Sequence, residues 1–264
     1  MPPAEGRTTL AGRTAIVTGA ASGIGRATAL RFAEDGAAVV VADRDAAGAE
    51  RVAAEIARRD RPSLAVAVDV AEEASVAALV ERALAWTGRI DAVAANAGVM
   101  VEGGILALSL DAWRRAMDVN ATGSFLTARA ALPHLVETGG TLVFTASTVA
   151  LAGMKGIAAY AASKGAVAAL ARQLAADFAA AGVRVNAVAP GAVRTPLSEA
   201  QFRARAKDDA EFEALLSATI ARYPLQRWCT PEEIAEVILF LASGRSAWIT
   251  GQILPVDGGL LELR

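Results

Sequence analysis

Tyr160 and Lys164 stand four residues apart in the stretch Tyr160-Ala161-Ala162-Ser163-Lys164, so on a helix they share one face. A free tyrosine has a pKa of about 10 and exchanges protons poorly near neutrality. An ammonium fixed beside it favours the phenolate and lowers that pKa. Bringing it down to about 7 or 8 takes roughly 3–4 kcal/mol of differential stabilisation. The spacing therefore points to a tyrosine tuned for proton transfer. Tyr-x-x-x-Lys also occurs on many helices as a half-buried tyrosine beside a solvated lysine, so the pair needs partners before it means catalysis.

Other common chemistries are poorly supplied. The only histidine, His134, lies in Ala131-Leu-Pro-His-Leu-Val136 without a cysteine or carboxylate cluster beside it, so no metal site is expected. No Gly-x-Ser-x-Gly elbow accompanies it, which argues against a Ser-His-Asp hydrolase. The single cysteine, Cys229, cannot form an internal disulfide, and this fits a reducing, cytoplasmic setting. A net charge of −2 gives no electrostatic footprint for nucleic acid. No charge-free apolar run reaches the roughly 18 residues of a membrane span, and the polar start has no signal-peptide core.

The second chemical feature is Thr18-Gly19-Ala20-Ala21-Ser22-Gly23-Ile24-Gly25. Glycines there let the backbone turn tightly and approach a pyrophosphate, and a helix N-terminus offers unpaired N–H groups to the phosphates. The spacing is Gly-x-x-x-Gly-x-Gly, distinct from the commonest dinucleotide fingerprint. About 20 residues on, Val39-Val40-Val41-Ala42 ends at Asp43. An acid in that place accepts hydrogen bonds from ribose hydroxyls. It also repels a 2′-phosphate, by about 4 kcal/mol at ~4 Å and an effective dielectric near 20. Arg44 next to it pulls the other way. NAD is the expected cofactor, with NADP as the alternative.

These residues need a scaffold. Short Val-, Ile- and Ala-rich runs at 14–18, 37–42, 64–68, 92–96, 141–146, 184–189 and 252–256 read as strands. Amphipathic segments at 25–34, 46–59, 72–86, 110–136, 158–181 and 231–242 read as helices. The last begins with Thr230 as N-cap and Pro231 at the first helical position. Strand–helix alternation predicts an α/β fold: a Rossmann-type, doubly wound, parallel seven-stranded sheet with helices on both faces. No linker or repeat divides the chain, so residues 10–264 read as one dinucleotide-binding catalytic domain behind a flexible tail over 1–9. The charged break at 190–228 reads equally as a substrate lid or as a surface excursion with a short helix.

With these pieces in order, the chain resembles the short-chain dehydrogenase/reductase family from about Leu10 to Gly259. The resemblance rests on Gly19, Gly23, Ile24 and Gly25; Asp69-Val70; Asn96-Ala97-Gly98; Asn120; Ser147; Tyr160 and Lys164; Pro190-Gly191; and Val256-Asp257-Gly258-Gly259. One departure is Ala95, where the family often has Asn; another is Trp228-Cys229, where relatives often carry Gly before the last helix. The resemblance implies a catalytic set of Asn120, Ser147, Tyr160 and Lys164. Tyr160 would exchange the proton, Ser147 would hold the carbonyl oxygen, and Lys164 would lower the Tyr160 pKa and hold the nicotinamide ribose. Asn120 would hold a water for proton relay. Asp69 and Val70 would meet the adenine, Asn96, Ala97 and Gly98 would brace the sheet beside the cofactor, and Ser22 completes the glycine loop. Pro190, Gly191, Val193 and Thr195 would meet the nicotinamide.

The implied activity is hydride transfer between NAD(H) and a secondary alcohol or ketone. An NADPH-dependent acyl-carrier ketoreductase is the alternative, and a non-enzymatic nucleotide-binding regulator a weaker one. Met100, Val149, Met154, Ala192 and Phe202, with Val99, Val101 and Leu151, are the pocket candidates. They are apolar and predict a small or medium substrate with an apolar body. Arg194, Arg203 and Arg205 read as surface charges, although they have the chemistry to grip an anion. Alanine-rich faces on the helices at 110–136 and 158–181, matched to the family's interfaces, imply a homotetramer or a dimer.

Overall fold

The computed structural model describes residues 9–263; the expected tail lies outside them apart from Thr9. Seven parallel strands form one sheet: β1 (Thr14–Thr18), β2 (Ala38–Asp43), β3 (Ser63–Ala67), β4 (Ala92–Ala95), β5 (Thr141–Thr145), β6 (Arg184–Pro190) and β7 (Ile253–Val256). Their order is β3-β2-β1-β4-β5-β6-β7. The order reverses between β1 and β4, and open α/β sheets bind ligands at the carboxyl ends of the strands at such a point. Each expected strand is present to within a residue or two.

The helices follow from the side-chain alternation of the strands. Ala15, Val17, Val39 and Val41 face one side and pack with α1 (Gly23–Glu34), α2 (Ala46–Ala57) and α9 (Pro231–Ala242). Ile16, Val40, Val66 and Phe144 face the other and pack with α3 (Glu73–Thr87), α5 (Gly123–Thr138) and α6 (Ala158–Phe178). Continuous burial on both faces explains why these strands are unbroken apolar runs.

α9 starts as the sequence predicts, with a capping box between Thr230 and Glu233. Arg227, bound to Glu233 at 2.6 Å, and the Thr230 N–H hold the Glu233 carboxyl down to about 2. The other end of α9 is clamped by Arg184, whose guanidinium donates to the carbonyls of Leu241 (2.8 Å), Ser243 (2.9 Å) and Ser246 (3.0 Å). Burial lowers the Arg184 pKa to about 10.

Two segments differ from expectation. The single helix expected at 110–136 is α4 (Leu110–Ala116), a π-helical turn at Met117–Thr122, and then α5. A π-turn inserts one residue into the helical spiral and re-aims the side chains it carries. Within 190–228 stand two helices, α7 (Pro196–Arg205) and α8 (Asp209–Ile220). They share a small apolar cluster of Phe202, Phe212 and Leu216, backed by Leu215 and Trp228.

Candidate active site

A cavity of about 590 Å³ opens at the carboxyl ends of the strands, between the sheet and the α7–α8 segment. Ser147 reaches it just after β5, where an extended backbone leads into a tight turn and its hydroxyl accepts the Val149 N–H at 3.4 Å. Tyr160 stands in the first turn of α6, and its hydroxyl faces Ser147. Lys164, one turn on and only 4% exposed, donates to the Thr145 carbonyl at 2.7 Å. Its ammonium lies 5.9 Å from the centre of the Tyr160 ring. The nearby hydroxyl of Thr145 is committed elsewhere, donating to the Asn96 side-chain oxygen at 3.1 Å.

Both groups of the pair are shifted toward their neutral forms. Burial pushes the Tyr160 hydroxyl above its usual value, and the neighbouring Ser147 hydroxyl only partly offsets this. Burial also lowers the Lys164 ammonium to about 8. Both shifts disfavour the charged form, as desolvation does.

Asn120 is fully buried and does not line the cavity. The π-turn aims its side chain inward, where Oδ1 accepts from Val99 N (2.7 Å) and Nδ2 donates to Val99 O (2.9 Å) and Ser163 Oγ (2.9 Å). It sits behind Gly98: a Cβ there would lie 3.2 Å from the amide oxygen of Asn120 and 3.3 Å from Lys164 Nζ. The Asn120 amide thus holds the chain after β4 against α6, and Ser163 is a partner that spacing did not reveal. The Asn120 carbonyl also accepts a hydrogen bond, from the Ser124 hydroxyl at 2.6 Å.

At the other end, Gly19, Ser22, Gly23, Ile24, Asp43, Arg44, Asp69, Val70, Asn96, Ala97 and Gly98 line the cavity. α1 starts at Gly23 with no side-chain cap and no acid in its first turn, so its first N–H groups are free for an anion. Gly25 lies behind the lining. A Cβ at Gly25 would meet the Gly19 carbonyl at 2.0 Å, so only glycine lets α1 approach the turn. Asn96 pins the same turn from β4, its amide donating to the carbonyls of Thr18 (3.2 Å) and Gly19 (3.4 Å). Asp43 accepts the N–H groups of Ala21 and Asp45, each at 2.9 Å, which fixes its carboxylate under the loop. A helix start without a cap, a glycine-walled turn and a fixed acid at the second strand fit a dinucleotide.

Pro190, Gly191, Val193 and Thr195 also border the cavity, and Thr195 caps α7 by accepting the Ser198 N–H at 3.1 Å. On the substrate side Met100, Val149, Met154, Ala192 and Phe202 all line it, as do Val99 and Val193; Val101 and Leu151 do not. Arg194 and Arg203 stand outside it, paired with Glu199 and Asp209, whereas Arg205 lines it and lies 3.7 Å from Glu102. Sequence reasoning missed Leu197, Gln201, Arg222 and Tyr223 in the lining. Tyr223 is buried against Gly191, where a Cβ would come within 2.8 Å of its ring. Its signal was an aromatic residue in an otherwise charged stretch. Trp228 meets Phe202 edge-on at 5.7 Å, so the residue that departs from the family pattern walls the cavity.

A family model described as enoyl-(acyl carrier protein) reductase matches residues 19–261. The solved short-chain type dehydrogenase/reductase from Mycobacterium marinum superposes with a TM-score of 0.88 at 35% identity, covering 97% of this chain and 98% of that one. The chain belongs to the short-chain dehydrogenase/reductase family. It is an oxidoreductase of that family, acting on alcohols and ketones. It is 44% identical over 250 residues to cis-4-hydroxycyclohexanecarboxylate dehydrogenase of Sinomonas cyclohexanicum, covering 94% of this chain and 96% of that protein. A putative NAD(P)-dependent gluconate 5-dehydrogenase from Beutenbergia cavernae, solved with bound NADP at low occupancy, is 41% identical, with a TM-score of 0.88 over 97% of this chain and 99% of that one.

Proposed function

We propose that the chain is an NAD(H)-dependent dehydrogenase that interconverts a secondary alcohol with an apolar body and its ketone. The observation that carries this reading is the contact of the Tyr160 and Ser147 hydroxyls, with the Lys164 ammonium behind the tyrosine ring, on the wall of a cavity whose other end is a glycine turn. The cofactor supplies a hydride acceptor for oxidation and a hydride donor for reduction. The residues supply proton traffic. In reduction Tyr160 donates its proton to the carbonyl oxygen; in oxidation its phenolate takes the hydroxyl proton. Ser147 hydrogen-bonds the same oxygen and stabilises the charge that develops there. Lys164 keeps a positive charge beside the ring as the phenolate forms.

Gly19, Gly23 and the free N–H groups of α1 would hold the pyrophosphate, and Asp43 the adenosine ribose. The fixed Asp43 carboxylate supports NAD over NADP. A second reading, an NADPH-dependent acyl-carrier ketoreductase, draws on Arg44, which is exposed at the same end and has no acid partner among the described residues. Fluorescence titration with NADH and NADPH separates the two: tighter binding of NADPH overturns the first. A panel of secondary alcohols and ketones, run on the protein and on Tyr160→Phe, tests the reaction. The variant should lose about 10²–10⁴-fold in kcat; undiminished turnover removes Tyr160 from the mechanism.

The proposed assembly is a homotetramer in a reducing, cytoplasmic setting. Apolar side chains exposed on α5 (Phe125), beside β7 (Trp248 and Leu254) and near the end of the chain (Leu263) support association.

A further inference from the structure

The segment between β6 and α9 carries five arginines: Arg194, Arg203, Arg205, Arg222 and Arg227. Four of them face an acid: Arg194 meets Glu199 at 2.8 Å, Arg203 meets Asp209, Arg205 meets Glu102 at 3.7 Å, and Arg227 meets Glu233 at 2.6 Å. Arg222 forms no ion pair among the described residues, and it is on the cavity wall. It follows the end of α8, next to Tyr223, whose ring packs against Gly191. That contact places the turn at the Gly191 end of the cavity, where Ala192 and Val193 also stand, and away from the glycine turn that cradles phosphates.

The charges around Arg222 leave it free. Asp257, a carboxylate near Tyr223, accepts the N–H groups of Gly259 (3.0 Å) and Leu261 (2.9 Å). The other carboxylates on the cavity wall, Asp43 and Asp69, belong to the glycine-turn end. Glu102 is engaged by Gln201 at 2.5 Å and by Arg205. The wall that carries Arg222 and the Ser147–Tyr160 pair also carries the apolar side chains of Leu197, Phe202, Met154 and Trp228. Arg44, the other guanidinium on the wall without an acid partner among the described residues, stands at the glycine-turn end beside Asp43, so a cavity with hydroxyls, apolar side chains and Arg222 at its Gly191 end matches a substrate with the same three parts. Arginine is the side chain best shaped for a carboxylate, through two parallel N–H donors.

We infer that Arg222 binds a carboxylate borne by the substrate, so that the physiological substrate is a hydroxy acid or keto acid with an apolar body rather than a neutral alcohol. The inference rests on the dehydrogenase reading and sharpens it. Arg205 is not that site, because Glu102 already neutralises it.

Two measurements test this. In the first, NAD-linked oxidation of 4-hydroxycyclohexanecarboxylate is compared with that of its carboxamide. The protein should favour the carboxylate at least tenfold in kcat/KM, mainly through KM. Arg222→Gln should abolish the preference, and Arg222→Lys should keep part of it, since a point charge remains. In the second, calorimetric titration compares unreactive cyclohexanecarboxylate with cyclohexanecarboxamide, with and without NAD, and should show the same tenfold preference and the same loss. The subsite is refuted if Arg222→Gln leaves the preference intact, if the wild type has none, or if Arg205→Gln removes it instead. If neither alcohol is oxidised while calorimetry still shows an Arg222-dependent preference, the reaction class is wrong and the anion subsite stands.

Discussion

Water exclusion around Tyr160 and Lys164 sets the direction in which each responds to pH. A tyrosine pushed above its usual pKa stays protonated through neutrality, ready to donate to a ketone oxygen, whereas oxidation needs the phenolate. Alcohol oxidation should therefore rise with pH from 7 to 9, while ketone reduction should not; initial rates in both directions across that range check this. Lys164 makes a second prediction. Its pKa falls from 10.5 unfolded to about 8 folded. Below pH 8 the folded state holds a buried charge at a cost of about 3 kcal/mol, and between pH 8 and 10.5 the unfolded chain binds more protons, so stability climbs across that window. Lys164→Met removes the charge and leaves the Thr145 carbonyl short of one hydrogen bond worth about 1 kcal/mol. The variant should be inactive yet about 2 kcal/mol more stable at pH 7 in urea melts. A variant less stable than the wild type would show that the burial cost is absent.

The elements carry what single side chains cannot. Asn120 works through its turn: the π-helical insertion aims a fully buried amide at the chain after β4 and at Ser163 on α6. Asn120→Ala leaves the Val99 N–H and C=O unpaired in the interior, at about 1–3 kcal/mol for each group. The expected outcome is a loss of roughly 2–4 kcal/mol in denaturant melts together with reduced turnover, since the same chain bears Met100. Lowered turnover at unchanged stability would instead point to direct participation. This device was not legible in the sequence. Residues 110–136 have the apolar spacing of an unbroken helix, and one inserted residue leaves no mark in that periodicity. The strands were legible, because runs such as Val39-Val40-Val41-Ala42 are buried on both faces and have no polar alternation to blur them. The glycine turn and the Tyr160–Lys164 spacing were legible for a related reason: both are local in sequence. The Tyr160 pKa depends on how deeply α6 is buried, and the place of Tyr223 on its contact with Gly191 across the fold, so neither could be read from spacing.

At the scale of the whole molecule, β5 and α6 carry the proton-transfer groups and the α7–α8 segment lies over them. The two sheet faces hold the large apolar clusters, whereas the segment above relies on Phe202, Phe212 and Leu216. Amides of α7 and α8 should exchange with deuterium well before those of β1, β4 and β5, because local opening is cheapest where few apolar groups are buried. Equal protection would mean that the segment opens only with the whole fold. Association is the other prediction at this scale. Trp248 is 100% exposed, and Leu254 on β7 is 38% exposed. Light scattering should give four times the chain mass, and Trp248→Glu should reduce it; a monomeric wild type at micromolar concentration would remove the tetramer.

The separateness of that small cluster bears on how such a protein diversifies. Substitutions among Leu197, Phe202 and Trp228 reshape the roof of the cavity without touching β5 and α6, which position Ser147 and Tyr160. Mutational drift can thus be confined to about two helices, and a descendant can trade one substrate for another while inheriting the same proton chemistry intact.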